Sequence, residues 1–163
     1  MSAPNILSIE QLKEITQKLR QEKKTIVLTN GCFDIIHAGH VSSLTYAKTQ
    51  GDILIVAVND DSSVSRLKGA SRPILPLNMR VQVLCALRSV DFVTVFSQDN
   101  AADIIKALRP DVYVKGEEYD LSRTPEGMEV LKYGGKAISA PQFPGISTTA
   151  IIERICSNGG NKK

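Results

Sequence analysis

Residues 25–59 read TIVLTNGCFDIIHAGHVSSLTYAKTQGDILIVAVN, and they hold a complete strand–loop–helix–strand unit. TIVLTN is a short β-branched run that ends at Gly31, the signature of a buried strand. GHVSSLTYAKTQG carries Val41, Leu44, Tyr46 and Ala47 over three turns and closes on Gly51, so it reads as a helix. DILIVAVN is a second continuous apolar run, the pattern of a strand covered on both faces. Two such strands joined through a helix run parallel, with a right-handed crossover.

The same alternation extends in both directions. Upstream, SIEQLKEITQKLRQEKK places Ile9, Leu12, Ile15 and Leu19 on one helical face, with Ser8 as N-cap. Downstream, DDSSVSRLKGASRPILPLN is polar and punctuated by Gly and Pro, and reads as a long loop. MRVQVLCALRSV then reads as helix, DFVTVF as strand, AADIIKALRP as a helix stopped by Pro110, and DVYVKG as strand. A short helix around EGMEVLKYGG, the run KAISAP and the helix STTAIIERICS complete the chain. The expected architecture is α/β: a Rossmann-like, open, parallel five-stranded sheet with helices on both faces. Residues 1–163 are expected to form one domain, with an N-terminal helix within residues 1–24 and a flexible tail at 158–163.

Composition removes several function classes. The net charge of +3 is carried partly by the terminal GGNKK, and there is no Trp to interleave with basic clusters, so nucleic acid is not an expected partner. Cys32, Cys85 and Cys156 are scattered and odd in number, which suits reduced thiols better than a disulfide framework or a zinc site. MSAPNILSIEQLKEITQ is charged and periodic rather than a signal peptide, and no apolar run approaches membrane length. A soluble, cytoplasmic protein is expected, with no membrane partner.

Both histidines of the chain, His37 and His40, lie in the loop after the first predicted strand. In a parallel sheet ligands bind beyond the carboxyl ends of the strands, where strand order reverses, and the first strand borders that point. Gly31 permits a tight turn and a close backbone approach. The following helix start offers free N–H groups and a positive dipole end, a site for phosphate. At i and i+3, His37 and His40 can face one side, and the dipole disfavours their imidazolium forms. Gly39 leaves room for a ribose or phosphate. With no third His and no Cys at ligand spacing, the pair is not expected to make a zinc site. Neither GxGxxG nor GxxxxGK[ST] is present, so this is neither a dinucleotide fingerprint nor a P-loop.

GCFDIIHAGH resembles the GxFDxxHxGH signature of the cytidylyltransferase-like nucleotidylyltransferases. TNGCFDIIHAGHVSSL, GDILIVAVNDDSSVSRLKG, RPILPLNMR and PDVYVKGEEYD resemble more closely the adenylyltransferases that act on D-glycero-β-D-manno-heptose 1-phosphate. The resemblance covers roughly residues 8–156, and the chain has no room for the sugar kinase that many bacteria fuse to this activity, so a stand-alone enzyme is expected. It implies that an oxygen of a sugar 1-phosphate attacks the α-phosphorus of ATP in line and pyrophosphate leaves, by positioning and charge neutralisation. Mg²⁺ is implied as cofactor, held largely by phosphate oxygens and water. A homodimer is implied by the habit of the relatives.

The resemblance assigns roles residue by residue. His37, His40, Lys68 and Arg80 are the implied catalytic set, with Lys68–Gly69 on a mobile loop and Arg80 at the next helix start. Gly31, Gly39 and the backbone of Cys32 and Phe33 would face the α-phosphate. Lys115 and Gly116 would contact nucleotide, as would Gly145, Ser147, Thr148 and Thr149 of a motif resembling ISTTxxxxRI, where Ser147 can also cap its helix. Asp34, Arg88 and Glu118 are candidates for the substrate side, although for Asp34 a structural role, as a helix cap or a brace for the loop, stands level with a metal-side one. Two departures stand out: Met79 precedes Arg80 where relatives carry an acidic residue, and QFP precedes Gly145 where glycerol-phosphate cytidylyltransferases have RTE. A cytidylyltransferase acting on glycerol 3-phosphate, or a nucleotide-binding regulator without turnover, are the alternative readings.

Overall fold

The computed structural model describes residues 5–116 and 120–159. Its elements follow in the order α1 (Ile9–Gln21), β1 (Ile26–Gly31), α2 (Ala38–Lys48), β2 (Ile53–Asn59), α3 (Asp61–Lys68), α4 (Leu77–Cys85), β3 (Phe92–Phe96), α5 (Ala102–Leu108), β4 (Val112–Gly116), a 3-10 turn (Leu121–Arg123), α6 (Pro125–Leu131), β5 (Lys136–Ala140) and α7 (Thr148–Gly159). The strands make one sheet in the order β3-β2-β1-β4-β5, every neighbouring pair parallel. This is the expected α/β architecture.

Alternate side chains of each central strand feed two separate cores, which is why the strand sequences are apolar throughout. Val27, Leu54, Val56 and Val58 pack with Leu44 of α2 and with Val81 and Leu84 of α4 on one face. Ile26, Leu28, Ile55 and Tyr113 pack on the other with Leu12 of α1, Ile104, Ile105 and Leu108 of α5, and Val130 of α6. Ser8 caps α1 in a capping box with Gln11, each side chain bonded to the other's backbone N–H.

Three local expectations change. The stretch after β2 is not all loop: Asp61–Lys68 is helical, with Asp60 Oδ1 accepting from Ser63 N at 2.7 Å and the Ser63 and Val64 side chains fully buried. Eight residues with one buried apolar position carry too little periodicity to announce a helix, and the Asp/Ser run that reads as a turn is its cap. Lys68 therefore stands at the end of a helix, not on a loop. The next helix, α4, begins at Leu77, two residues before the expected start, and α7 runs on to Gly159 rather than yielding to a tail at 158. No helix among the described residues is long and apolar enough to cross a membrane.

Candidate active site

Strand order reverses between β1 and β4, and there the sheet opens. β1 stays paired with β2 through Gly31↔Val58, whereas its pairing with β4 stops at Leu28↔Tyr113. The carboxyl ends of the two strands part, leaving a cleft of about 590 Å³ between Asn30–Asp34 on one side and Lys115–Gly116 on the other. Lys68, Arg72 and Asp99 close one flank, and Ile146–Thr149 at the start of α7 close the opposite one. A smaller lobe of about 370 Å³ shares His37, His40 and Gly116 and continues past Pro141, Gln142 and Phe143.

The two histidines sit where the lobes meet. Phe33 takes φ +47° and turns the chain left-handed just before them, setting its ring edge-on to His40 at 5.4 Å between centroids. A Cβ on Gly31 would stand 3.0 Å from that ring, so any larger residue would push the ring aside by a few tenths of an ångström. His37 occupies the N-cap position of α2 without a side-chain cap bond, and its ring stacks on that of His40 at 3.8 Å, 24° from parallel. Both Nδ1 atoms are buried without a hydrogen-bond partner. Burial holds His37 below the ordinary histidine range and, with the neighbouring His37 ring, brings His40 down to about 4 against a weak opposing contribution from the Ile35 carbonyl. Both imidazoles are therefore neutral near pH 7, with desolvation rather than the helix dipole as the leading cause.

Asp34 is a brace. Its carboxylate is 1% exposed and accepts from Ile74 N at 2.8 Å, from Leu75 N at 2.9 Å and from Arg72 Nε at 2.5 Å. Burial pushes this carboxyl up, but the Leu75 and Ile74 amides and the Arg72 guanidinium outweigh it and hold it below the usual range. Of the roles open to Asp34, on the substrate, beside a metal or as a brace, the geometry favours the brace, because both oxygens are taken by Arg72, Ile74 and Leu75. Arg80 does not reach the cleft either. It is fully buried on α4, donating to Asp61 Oδ1 at 2.8 Å, to the Leu75 carbonyl at 3.1 Å and to the Cys32 carbonyl. Its charge secures the backs of two loops whose fronts line the cleft.

The remaining expectations divide. Lys68, Lys115, Gly116, Ser147, Thr148 and Thr149 all line the cleft with Gly31, Cys32 and Phe33. Ser147 Oγ accepts from Ala150 N at 3.1 Å and so caps α7, leaving Thr148 and Thr149 beside the cleft. Gly145, at φ +79°, holds a backbone conformation that favours glycine, and with Gly39 it lines the smaller lobe. Arg88 lies apart: it is exposed, between α4 and the start of β3, at the amino edge of the sheet and so opposite the cleft. Glu118 lies outside the described residues. Sequence reasoning assigned nothing to Asn30 and Arg72, which line the cleft, or to Tyr113 and Glu126, which touch Asn30 and Lys115 behind it. Arg72 lay in plain view between Lys68 and Arg80, but its pairing with Asp34 spans 38 residues and has no local signal.

A model of the family described as cytidylyltransferase-like matches residues 28–154. The bifunctional protein HldE of Coxiella burnetii is 49% identical over 150 residues, which is 92% of this chain and 32% of that protein. The chain thus spans about a third of the length of the curated relatives it matches. Among solved structures, the lipopolysaccharide core biosynthesis protein of Thermoplasma volcanium superposes with a TM-score of 0.63 at 25% identity, covering 74% of this chain and 98% of that one. Pantoate–β-alanine ligase of Francisella tularensis, at 16% identity and a TM-score of 0.62 over 94% of this chain and 76% of its own, shares the fold. With the match extending from the first strand to the last helix, and the HxGH loop at the point where the sheet opens, the chain belongs to the cytidylyltransferase-like family.

Proposed function

We propose that the protein transfers AMP from ATP to D-glycero-β-D-manno-heptose 1-phosphate, releasing pyrophosphate and ADP-heptose for a surface glycan such as lipopolysaccharide. The observation that carries the reading is the stacked, neutral His37–His40 pair at the junction of two lobes, one of them flanked by Lys68, Arg72 and Lys115. The choice of acceptor rests on the resemblance of the motifs to heptose 1-phosphate adenylyltransferases and on the 49% identity with HldE.

The acceptor phosphate is already ionised near neutral pH, so no general base is required. One of its oxygens forms a bond to the α-phosphorus as the bond to the bridging β-oxygen breaks, and pyrophosphate takes the electron pair. His37 and His40 donate ring N–H groups to the phosphates and stabilise charge that grows in the transition state. Lys68 and Arg72 take the leaving phosphates; Arg72 Nε is engaged by Asp34, which aims the rest of the guanidinium. The N-terminus of α7, with Thr148 and Thr149, supplies a further anion-binding edge. Among the described residues no group of three His, Cys, Asp or Glu could cage a cation, and the Asp34 oxygens are already taken. Mg²⁺ fits as a companion of the triphosphate, held by the ligand and water rather than by a residue cage, and it would supply neutralisation of the phosphate charge. The enzyme works in the cytoplasm, as a homodimer.

Pyrophosphate release tests the reading, with ATP and CTP crossed against heptose 1-phosphate and glycerol 3-phosphate. Release with ATP and heptose 1-phosphate alone is the expected result. Release with CTP and glycerol 3-phosphate would replace the substrates, and tight nucleotide binding without release would make the protein a regulator.

A further inference from the structure

At the floor of the cleft, β1, β4 and α6 carry a polar cluster of which the transfer scheme leaves Asn30, Tyr113 and Glu126 unused. Lys115 Nζ lies 3.4 Å from Asn30 Oδ1 and 3.6 Å from Glu126 Oε1. Asn30 Oδ1 also accepts from the Tyr113 hydroxyl at 2.6 Å, across the gap where β1 and β4 part. Burial, and after it the Glu126 charge, push the Tyr113 hydroxyl up, so it remains a donor to Asn30. Glu126 is only 5% exposed, yet Lys115, a quarter exposed, lines the cleft.

A buried carboxylate is a poor source of stability, since desolvation offsets most of what its partner returns. The fold nonetheless goes to some length to seat this one. The first turn of α6 is pressed onto the preceding 3-10 turn so closely that a Cβ on Gly127 would meet the Leu121 carbonyl oxygen at 1.8 Å. Thr124 caps the turn through Gly127 N at 3.1 Å, and Glu126 Oε1 takes Ala101 N at 3.3 Å. The result is a fixed negative charge directly behind a cation that faces the phosphate-binding space.

We propose that Glu126 is a positioning residue: together with Asn30 it holds the Lys115 ammonium at the cleft for a phosphate of the bound nucleotide. This rests on the nucleotidyl-transfer reading above. Without the carboxylate, the four-carbon stem of Lys115 is free to sample conformers that miss the ligand.

A double-mutant cycle of Glu126→Gln and Lys115→Met tests it, read by kcat/KM for pyrophosphate release, by ATP affinity and by thermal midpoint. Glutamine keeps an oxygen for Ala101 N, so it removes the charge while sparing that tie. Glu126→Gln is expected to lower kcat/KM and ATP affinity about tenfold when Lys115 is present, and by less than about twofold when it is Met. A merely structural role would give equal losses in both backgrounds, and that result overturns the proposal. If Glu126→Gln does not fold, Glu126→Asp, which draws the same charge back by one methylene, is run through the same cycle with the same criteria. Because ATP affinity is read alongside turnover, a wrong acceptor leaves the cycle decisive. A wild-type protein that binds neither ATP nor CTP overturns the nucleotidyl-transfer reading, and this inference with it.

Discussion

The imidazoles of His37 and His40 lie face to face, 3.8 Å between centroids, with both Nδ1 atoms shut away from hydrogen-bond partners. Two imidazoliums could not share that space, so the pair works as neutral donors. His40→Ala should therefore cost about 10²–10³ in turnover, the scale of one lost transition-state donor, with ATP affinity much less affected. Steady-state kinetics of pyrophosphate release check this, and a variant with near-wild-type turnover would refute the assigned role.

The same burial has a consequence for pH. The folded pKa of His40, about 4, lies below its unfolded value near 6.5, so the unfolded chain binds more protons between those limits. The contribution to stability is whole above about pH 6.5 and is lost as pH falls towards 4. Thermal midpoints measured from pH 4 to pH 8 should rise through that window and then level, and the rise should be smaller in His40→Ala. A wild-type profile that is flat from pH 4 to 6.5 would contradict the buried, unpartnered geometry.

Gly39 separates catalysis from stability. A Cβ there would stand 3.0 Å from the His37 ring and 3.4 Å from Ile146 Cγ2. Gly39→Ala should displace the ring, lowering kcat/KM at least about tenfold, since small misplacements at a reacting centre are amplified. Its helical position lets alanine compensate in stability, so the thermal midpoint should hold or rise. Unchanged kinetics would show that the stack tolerates a shift of several tenths of an ångström.

Asp34 and Arg80 should behave as braces. Asp34→Ala strips acceptors from two backbone amides and from Arg72 in a site 1% exposed, and is expected to cost about 2–4 kcal/mol in urea unfolding. Arg80→Lys keeps the charge but cannot span Asp61, Leu75 O and Cys32 O together, so its thermal midpoint should fall. Lys68→Ala, at an exposed position on the cleft, should instead raise KM for ATP about tenfold with the midpoint unchanged. A stable Arg80→Lys protein with lost turnover would return Arg80 to direct contact with phosphate.

The parallel sheet was legible because β1, α2 and β2 declare themselves by local pattern, and the HxGH loop was legible because it directly follows β1. The ISTT segment was legible for the same reason, since caps and helix starts are written in adjacent residues. Helix α3 was not, because its eight residues bury one apolar side chain and its cap looks like a turn. Arg80 looked like an active-site cation from its place in a motif; only its neighbours reveal that it is turned inward.

What the sequence determined by itself is whatever depends on neighbours a few residues apart: strand or helix, the glycine turns, and two imidazoles on one side of a helix start. What the tertiary structure decided is which charges meet. Asp34 finds Arg72 across 38 residues, Arg80 finds Cys32 across 48, and Lys115 finds Asn30 across 85. Periodicity carries no trace of such pairings, because they form only once the parallel sheet has brought the carboxyl ends of its strands to one edge.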